Sequence, residues 1–357
     1  MQLASRVFES NDIQSAIELC YERKWTDGLP VVPPTADAVE RIVKHLGRDP
    51  QEVIGMVPPR DGVATIETIA INCVMAGCKP EYVPIVIAAL QAILEEKFNI
   101  NGVQTTTHSC APLVIVSGPA VKTLGFNTKE CAFGHGCRPS ATIGRAVRLI
   151  LWNLGGGFPG EPCKTTQGHP GYYSFCIADD EEANPWQTLN VELGYGADET
   201  VVAVHAVAGP QVIETGAGYL SADTILTILA DSIASLGSSG ICGGDMVMVL
   251  GPMAARNIAN AGFSKSDVKR ELMRRATRPV REIKRGPAIH ESHPMHWKYQ
   301  TDPTNDDARV PYIRSEEEIQ IVVAGGWGSG GGFSSLCEGW GANRGRPTHR
   351  KVVFPQN

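Results

Sequence analysis

Leu113-Val-Ile-Val-Ser-Gly-Pro119 is the stretch on which the fold class turns. Its four apolar residues read as a short, wholly apolar strand, and Ser117-Gly-Pro119 as a strand-to-helix turn. Downstream, Ile143, Val147, Ile150 and Leu154 form the inner stripe of a helix from Pro139 to Leu154, ended by Gly155 to Gly157. Further strands are expected at Tyr172 to Ala178, Val201 to Val207, Met246 to Leu250, Ile319 to Ala324 and Lys351 to Phe354. Helices are expected from the Ser221 cap through Leu236, ending at Gly237, and from Pro252. Strands that alternate with helices make an α/β body, with a mixed α+β arrangement as the alternative.

Upstream the pattern is helical. Helices are expected over Asp12 to Lys24, Ala36 to Leu46, Ala64 to Ala76 and onward from Pro80, with Cys73 on a core face. The expected organisation is therefore a mainly helical N-terminal region, residues 1–100, packed on an α/β body, residues 101–357. One compact domain is equally consistent with the pattern. No internal repeat recurs at a fixed period.

The chain has 357 residues, 43 % hydrophobic and 20 % charged, with a formal charge of −6. That charge gives no general attraction to nucleic acid or to an anionic membrane. Thirty-eight glycines and 24 prolines demand many shaped loops, which suits an enzyme better than a helical scaffold. The N-terminus lacks the plan of a signal peptide, and Val83 to Leu90, the longest apolar run, is too short to span a bilayer. The expected location is the cytoplasm, where ten cysteines are mostly free thiols.

Two His-x-Cys triplets carry the candidate chemistry: His108-Ser-Cys110 and His135-Gly-Cys137. Cys137 precedes Pro139 at the start of a helix, where unpaired N–H groups, the helix dipole and Arg138 all favour a thiolate. The alternative is a packed cysteine. His108 titrates near neutral pH and is the candidate acid/base, with His135 beside Cys137 as the second histidine. If both segments are extended, His108, Cys110, His135 and Cys137 also supply the two nitrogens and two sulfurs of a tetrahedral zinc site. A divalent transition metal such as zinc is thus a candidate cofactor. His290, His293 and His296 form a second possible ligand group, on a stretch that Pro294 keeps from being a regular helix.

For an anionic substrate, Arg138 with Ser140 and Thr142 in the first helical turn, and Arg145 on the polar face beside Arg148, are the expected anchors. The stretch Ala324 to Gly332 follows a strand but lacks a P-loop ending or a dinucleotide fingerprint. Gly326, Trp327 and Gly328 there allow close approach to a ligand, and Trp327 and Trp340 are candidate pocket walls. A basic stretch from Lys265 to Arg285 reads as a solvated helix face or, alternatively, as a docking surface for an acidic protein.

Several segments resemble a family of uncharacterised bacterial proteins of about this length: Asp27-Gly-Leu-Pro-Val-Val-Pro-Pro-Thr35, Met75 to Tyr82, Thr106 to His108, Ala141-Thr-Ile-Gly-Arg-Ala-Val-Arg-Leu149, Tyr173 to Cys176 and Ile321 to Gly326. The resemblance spans nearly the whole chain. Some members accompany small selenocysteine- or cysteine-containing redox proteins, which implies thiol or redox chemistry on a small molecule. Positions corresponding to Cys110 and Cys137 are often not cysteine in that family, so the resemblance places shared chemistry on His108, Arg145 and the loops. The expected function is an enzyme acting on a small anionic metabolite by lyase-type or reductive chemistry. A His/Cys metalloprotein and a non-catalytic partner subunit of a redox protein are the alternatives. Nucleic acid and membrane are not expected partners; a second copy of the chain or a small redox protein is.

Overall fold

The computed structural model describes residues 3–216, 218–286, 301–327, 332–341 and 344–356. The N-terminal region opens with α1 (Ile13–Glu22), capped by the Asp12 carboxylate, and α2 (Ala36–Leu46), capped by Thr35. A hairpin of β1 (Val53–Val57) and β2 (Gly62–Thr65) follows, where the sequence pattern shows no strand. α3 (Ile66–Ala76) begins later than expected because Thr65 and Thr68 form a reciprocal capping box that fixes the helix start. α4 (Val83–Ile93) has ten of its eleven residues buried. A helix that is apolar all round has to lie inside the protein.

The body continues with α5 (Ile100–Thr105), β3 (Ala111–Ser117), α6 (Ala120–Thr123), α7 (Arg138–Asn153), β4 (Cys176–Ala178), α8 (Leu189–Glu192) and β5 (Val201–Val207). It then runs through β6 (Gln211–Glu214), α9 (Ala222–Ile233), β7 (Met246–Leu250), α10 (Pro252–Asn260) and α11 (Lys265–Arg275). A small pair, β8 (Thr277–Pro279) and β9 (Arg309–Pro311), flanks α12 (Val280–Ile283). The remaining strands are β10 (Ile319–Val323), β11 (Phe333–Cys337) and β12 (Thr348–Lys351). The fold is mixed α/β.

Two four-stranded sheets, in the orders β12-β5-β3-β4 and β10-β7-β11-β6, lie face to face between layers of helices. Side-chain alternation produces these layers. Leu113, Ile115, Ile177 and Ala203 of the first sheet meet Val247, Val249, Val322 and Cys337 of the second. The opposite faces carry Val114, Val116, Val202 and Val204 against α3, α4 and α7, and Met246, Met248, Ile319 and Ile321 against α9 to α11. With both faces covered, all seven residues of β3 are buried, which is why Leu113 to Val116 is apolar without alternation.

The two sheets share one plan. β3 lies parallel to β4 and antiparallel to β5, and an antiparallel edge strand completes the sheet; β7 stands in the same relation to β10 and β11. The edge strands are exchanged. The chain leaves β5 and forms β6 on the edge of β11, and it leaves β11 to form β12 on the edge of β5. At the crossing, Val207 bridges Gly339 and the Ala208 N–H donates to the Glu338 carbonyl at 2.8 Å. This repeated pairing plan leaves no repeat at a fixed period in the sequence, because the loops of the two halves differ in length. Both halves keep only a Gly-Pro where the first strand passes into a helix, at Gly118-Pro119 and Gly251-Pro252.

Residues 1–100 are joined to the body throughout: α4 packs on β5 and β12, and Thr348 donates to the Ala92 carbonyl at 2.8 Å. The strand expected over Tyr172 to Ala178 shortens to β4, because Pro170–Tyr172 turns as a 3-10 helix. The C-terminal strand lies at β12 and not at Lys351 to Phe354. Among the described residues, no helix is long and apolar enough to cross a membrane.

Candidate active site

Between α5 and β3 the chain turns sharply, the Cys110 N–H donating to the His108 carbonyl at 2.9 Å. The segment from Cys163 to His169 lies alongside. Thr166 N–H donates to Thr107 O at 3.0 Å, the Thr165 hydroxyl donates to His108 O at 3.2 Å, and Gly168 N–H donates to Ser109 Oγ at 3.2 Å. Tyr172 closes this floor by donating its hydroxyl to the Cys110 carbonyl at 2.7 Å. From the second half, Trp340 Nε1–H donates to Thr106 Oγ1 at 3.1 Å, which ties this segment to a ring buried in the core.

This floor is held together by backbone and hydroxyl contacts, and its titratable groups are left with few partners. His169 Nδ1 accepts from Gly171 N–H at 3.1 Å, which puts the proton of the neutral ring on Nε2. That Nε2 is buried and has no partner, as is Nδ1 of His108. Burial pushes His169 down to about 4, helped by the charge of Arg148 and by His108. Burial also lowers His108, with Glu338 opposing and Arg344 assisting. Both rings are neutral near pH 7.

Arg148, on the third turn of α7, donates Nε–H to the Tyr172 carbonyl at 3.2 Å, and its guanidinium carbon lies 5.0 Å from the Tyr172 ring centre. Burial lowers its pKa, but an arginine stays protonated. No carboxylate pairs with it among the described residues. Burial pushes the Cys110 thiol and the Tyr172 hydroxyl each up to about 12. Cys110 is therefore a neutral thiol at physiological pH, which removes the basis for treating it as a nucleophile.

The second triplet stands elsewhere, at the start of α7. Cys137 is the N-cap residue, and its sulfur accepts from Asn127 N–H at 3.1 Å and from the Ser140 hydroxyl at 3.4 Å. A cleft of about 610 Å³ opens there, lined among others by Lys79, Tyr82, Asn127, His135 and Cys137. The glycine-rich segment approaches this end of the molecule, since Gly325 N–H donates to Thr128 O at 2.7 Å. Gly326 lies against Glu130, and Trp327 stacks under Arg256 at 4.0 Å, which takes it out of the role of a free pocket wall.

Several expectations are corrected by this geometry. Among the described residues no three His, Cys, Asp or Glu side chains are grouped to hold a metal ion, and His135 and Cys137 line a cleft that His108 and Cys110 do not. The zinc set is not assembled because α7 carries one triplet away from the other. Arg145 is not a substrate anchor: Asp27 accepts both its Nε (3.1 Å) and Nη2 (2.8 Å) in a buried pair. Arg138 is bound to the Gly77 carbonyl, and Thr142 donates to the Arg138 carbonyl. Ser140 serves Cys137. Gly328, His290, His293 and His296 lie outside the described residues.

The basic stretch is interleaved with acids. Lys265 and Lys269 pair with Glu192, Arg270 with Asp267, Arg274 and Arg275 with Glu271, and Arg278 with Asp231.

His169, Tyr172, Arg344 and Glu338 were not singled out from the sequence, and Arg148 was assigned to a polar face. Only Arg148 carried a usable signal, as a cation three residues from Arg145 on an otherwise well-buried helix. His169 and Tyr172 reach the site through a loop with no motif. Comparison of the chain with protein-family models and with curated proteins returns no match.

Proposed function

We propose that the protein is an enzyme that moves a proton on a small carboxylate bound beside His108, His169 and Arg148, as lyases and related enzymes do. The observation that supports this reading is the buried, unpartnered nitrogen on each of two neutral imidazoles beside an arginine without a counter-ion. Unpartnered buried polar groups are costly and cluster where a ligand completes them. Arg148 would hold the carboxylate by charge-assisted hydrogen bonds. His108 would take a proton from the carbon next to a carbonyl, becoming imidazolium, while the Nε2–H of His169 donates to the oxygen on which negative charge develops. The high pKa of Cys110 favours this over thiol-based reduction at that residue. Ten free cysteines fit a reducing, cytoplasmic setting.

The test is exchange of substrate C–H protons for deuterium in D2O, followed by proton NMR across a panel of 2-oxo and hydroxy acids. Exchange by the native protein that is lost in His108→Gln and Arg148→Met is the expected result. A bound acid that exchanges in neither native protein nor variants overturns the reading.

A second reading, thiol chemistry in the Cys137 cleft, is favoured by the two donors that meet its sulfur. It would accommodate the resembled family and a small redox partner. The pH dependence of Cys137 alkylation tests it, and a reactivity no greater than that of exposed Cys131 retires it.

A further inference from the structure

We infer that Tyr172, Phe175 and Gly209 are positioning residues that cage His169, so that its Nε2–H stands as a fixed hydrogen-bond donor to the substrate. The inference rests on the proton-transfer reading above and names the groups through which this chain holds that donor in place.

The His169 ring is confined by contacts from several segments. Gly171 N–H donates to Nδ1 at 3.1 Å, which leaves Nε2 as the protonated nitrogen of the neutral ring. The rings of Tyr172 and Phe175 each stand edge to face with the imidazole, both with centres 5.2 Å away and with planes at 85° and 71° to it. Gly209 brings bare backbone up to the ring: a Cβ there would lie 3.0 Å from its Cγ and 3.1 Å from its Nδ1.

The walls are themselves anchored. Tyr172 donates its N–H to the His169 carbonyl at 2.9 Å and its hydroxyl to the Cys110 carbonyl at 2.7 Å. Phe175 is buried between the sheets, and its carbonyl accepts from Val114 N–H of β3 at 3.0 Å. Gly209 follows Ala208, whose N–H donates to the Glu338 carbonyl where the edge strands cross. A histidine held this firmly for packing alone would have both nitrogens satisfied. Among the described residues, the buried Nε2 of His169 has no partner. A donor fixed in advance needs no reorganisation when negative charge develops on the substrate oxygen.

The experiment joins heteronuclear NMR of the full chain carrying isotope-labelled histidine, with His169 assigned through His169→Gln, to the deuterium-exchange assay above. The native ring should give one set of signals with the proton on Nε2. Gly209→Ala presses a methyl group on the ring and removes no contact. It should shift those signals and lower kcat for exchange by about tenfold or more, while KM changes by less than about threefold. Phe175→Leu removes one wall and should act the same way, whereas Tyr172→Phe keeps its ring and should retain the native signals and kcat. Should Phe175→Leu fail to fold, Gly209→Ala decides the inference by itself. Native signals or native kcat in Gly209→Ala, a proton on Nδ1 in the native ring, or a loss in Tyr172→Phe as large as that in Gly209→Ala would each overturn it. Absence of exchange by the native protein on every acid would overturn the proton-transfer reading, and the ring signals of native protein and Gly209→Ala would still decide whether the cage holds His169.

Discussion

The two His-x-Cys triplets look alike in one dimension and differ in three. At Cys137 the sulfur has two donors, Arg138 holds a carbonyl, Thr142 holds another and Arg145 holds Asp27. At His108 two imidazoles and an arginine are left short of partners. A satisfied cluster contributes stability, whereas an unsatisfied one reduces stability and keeps its binding capacity for something else. The contrast separates a hydrogen-bonded helix start that borders an open cleft from a buried cluster with binding capacity left unfilled.

The strongest way to break this comparison is by substitution. His108→Gln and Arg148→Met should each lower proton exchange by about two to four orders of magnitude, the usual contribution of a positioned acid/base or charge clamp. Cys137→Ser should change it by less than about threefold. Rates measured on the same acid by NMR decide it, and equal losses at both triplets would erase the distinction.

Differential alkylation sharpens it next. With iodoacetamide at pH 7, exposed Cys131 should label first and Cys137, at the edge of a cleft, more slowly. Cys110, buried and with its pKa pushed up to about 12, should label on the order of a hundredfold more slowly than Cys131. Mass spectrometry of peptides from a time course gives the order.

Among the described residues, three further buried atoms outside this site lack a hydrogen-bond partner, His205 Nδ1, Asp245 Oδ1 and Arg314 Nε, and the first two belong to groups that should lower stability in a pH-dependent way. His205, buried between the sheets, is pushed down to about 3 by desolvation first, with Lys269 and His349 adding to it. The unfolded chain takes up a proton below its ordinary value near 6.5, so the stability present above that pH is lost as pH falls toward about 3. His205→Leu should remove this loss, worth on the order of a few kcal/mol at pH 4, in chemical denaturation curves.

Asp245 is raised to about 6 by burial, and Arg346 approaches its Oδ1 at 3.3 Å without hydrogen-bond geometry. Its raised pKa favours folding below about 3.8, and that advantage disappears as pH rises through about 6. Asp245→Asn should therefore stabilise the protein by about 1–3 kcal/mol at pH 7 and by nothing measurable at pH 3.5. A gain of equal size at both pH values would refute the assignment.

The layers of the fold were legible where packing alone writes the sequence. β3, β5 and β7 are buried on both faces, so their composition carries their identity, and α7 shows its stripe and its Pro start. β6, β11 and β12 were missed or misplaced because edge positions and polar faces leave no such record; β6 has three of four residues exposed. The site was half legible. His108 stood out by type, but Arg148 and His169 matter through what they lack, and an absent partner cannot be read from a linear string. Trp340, expected as a pocket wall, is buried in the core and reaches the site only through its bond to Thr106.

The exchanged edges also set an order on synthesis. The second sheet receives β6 before its other strands exist, whereas β5 must wait for β12, made only after almost all of the second half has left the ribosome. Meanwhile Val201-Val-Ala-Val-His-Ala-Val207 has an uncovered ladder edge, the kind of segment that pairs with neighbours on other chains. Truncation ahead of Thr348 would make that waiting state permanent, and the expected product is an aggregating nascent chain with its N-terminal half otherwise intact.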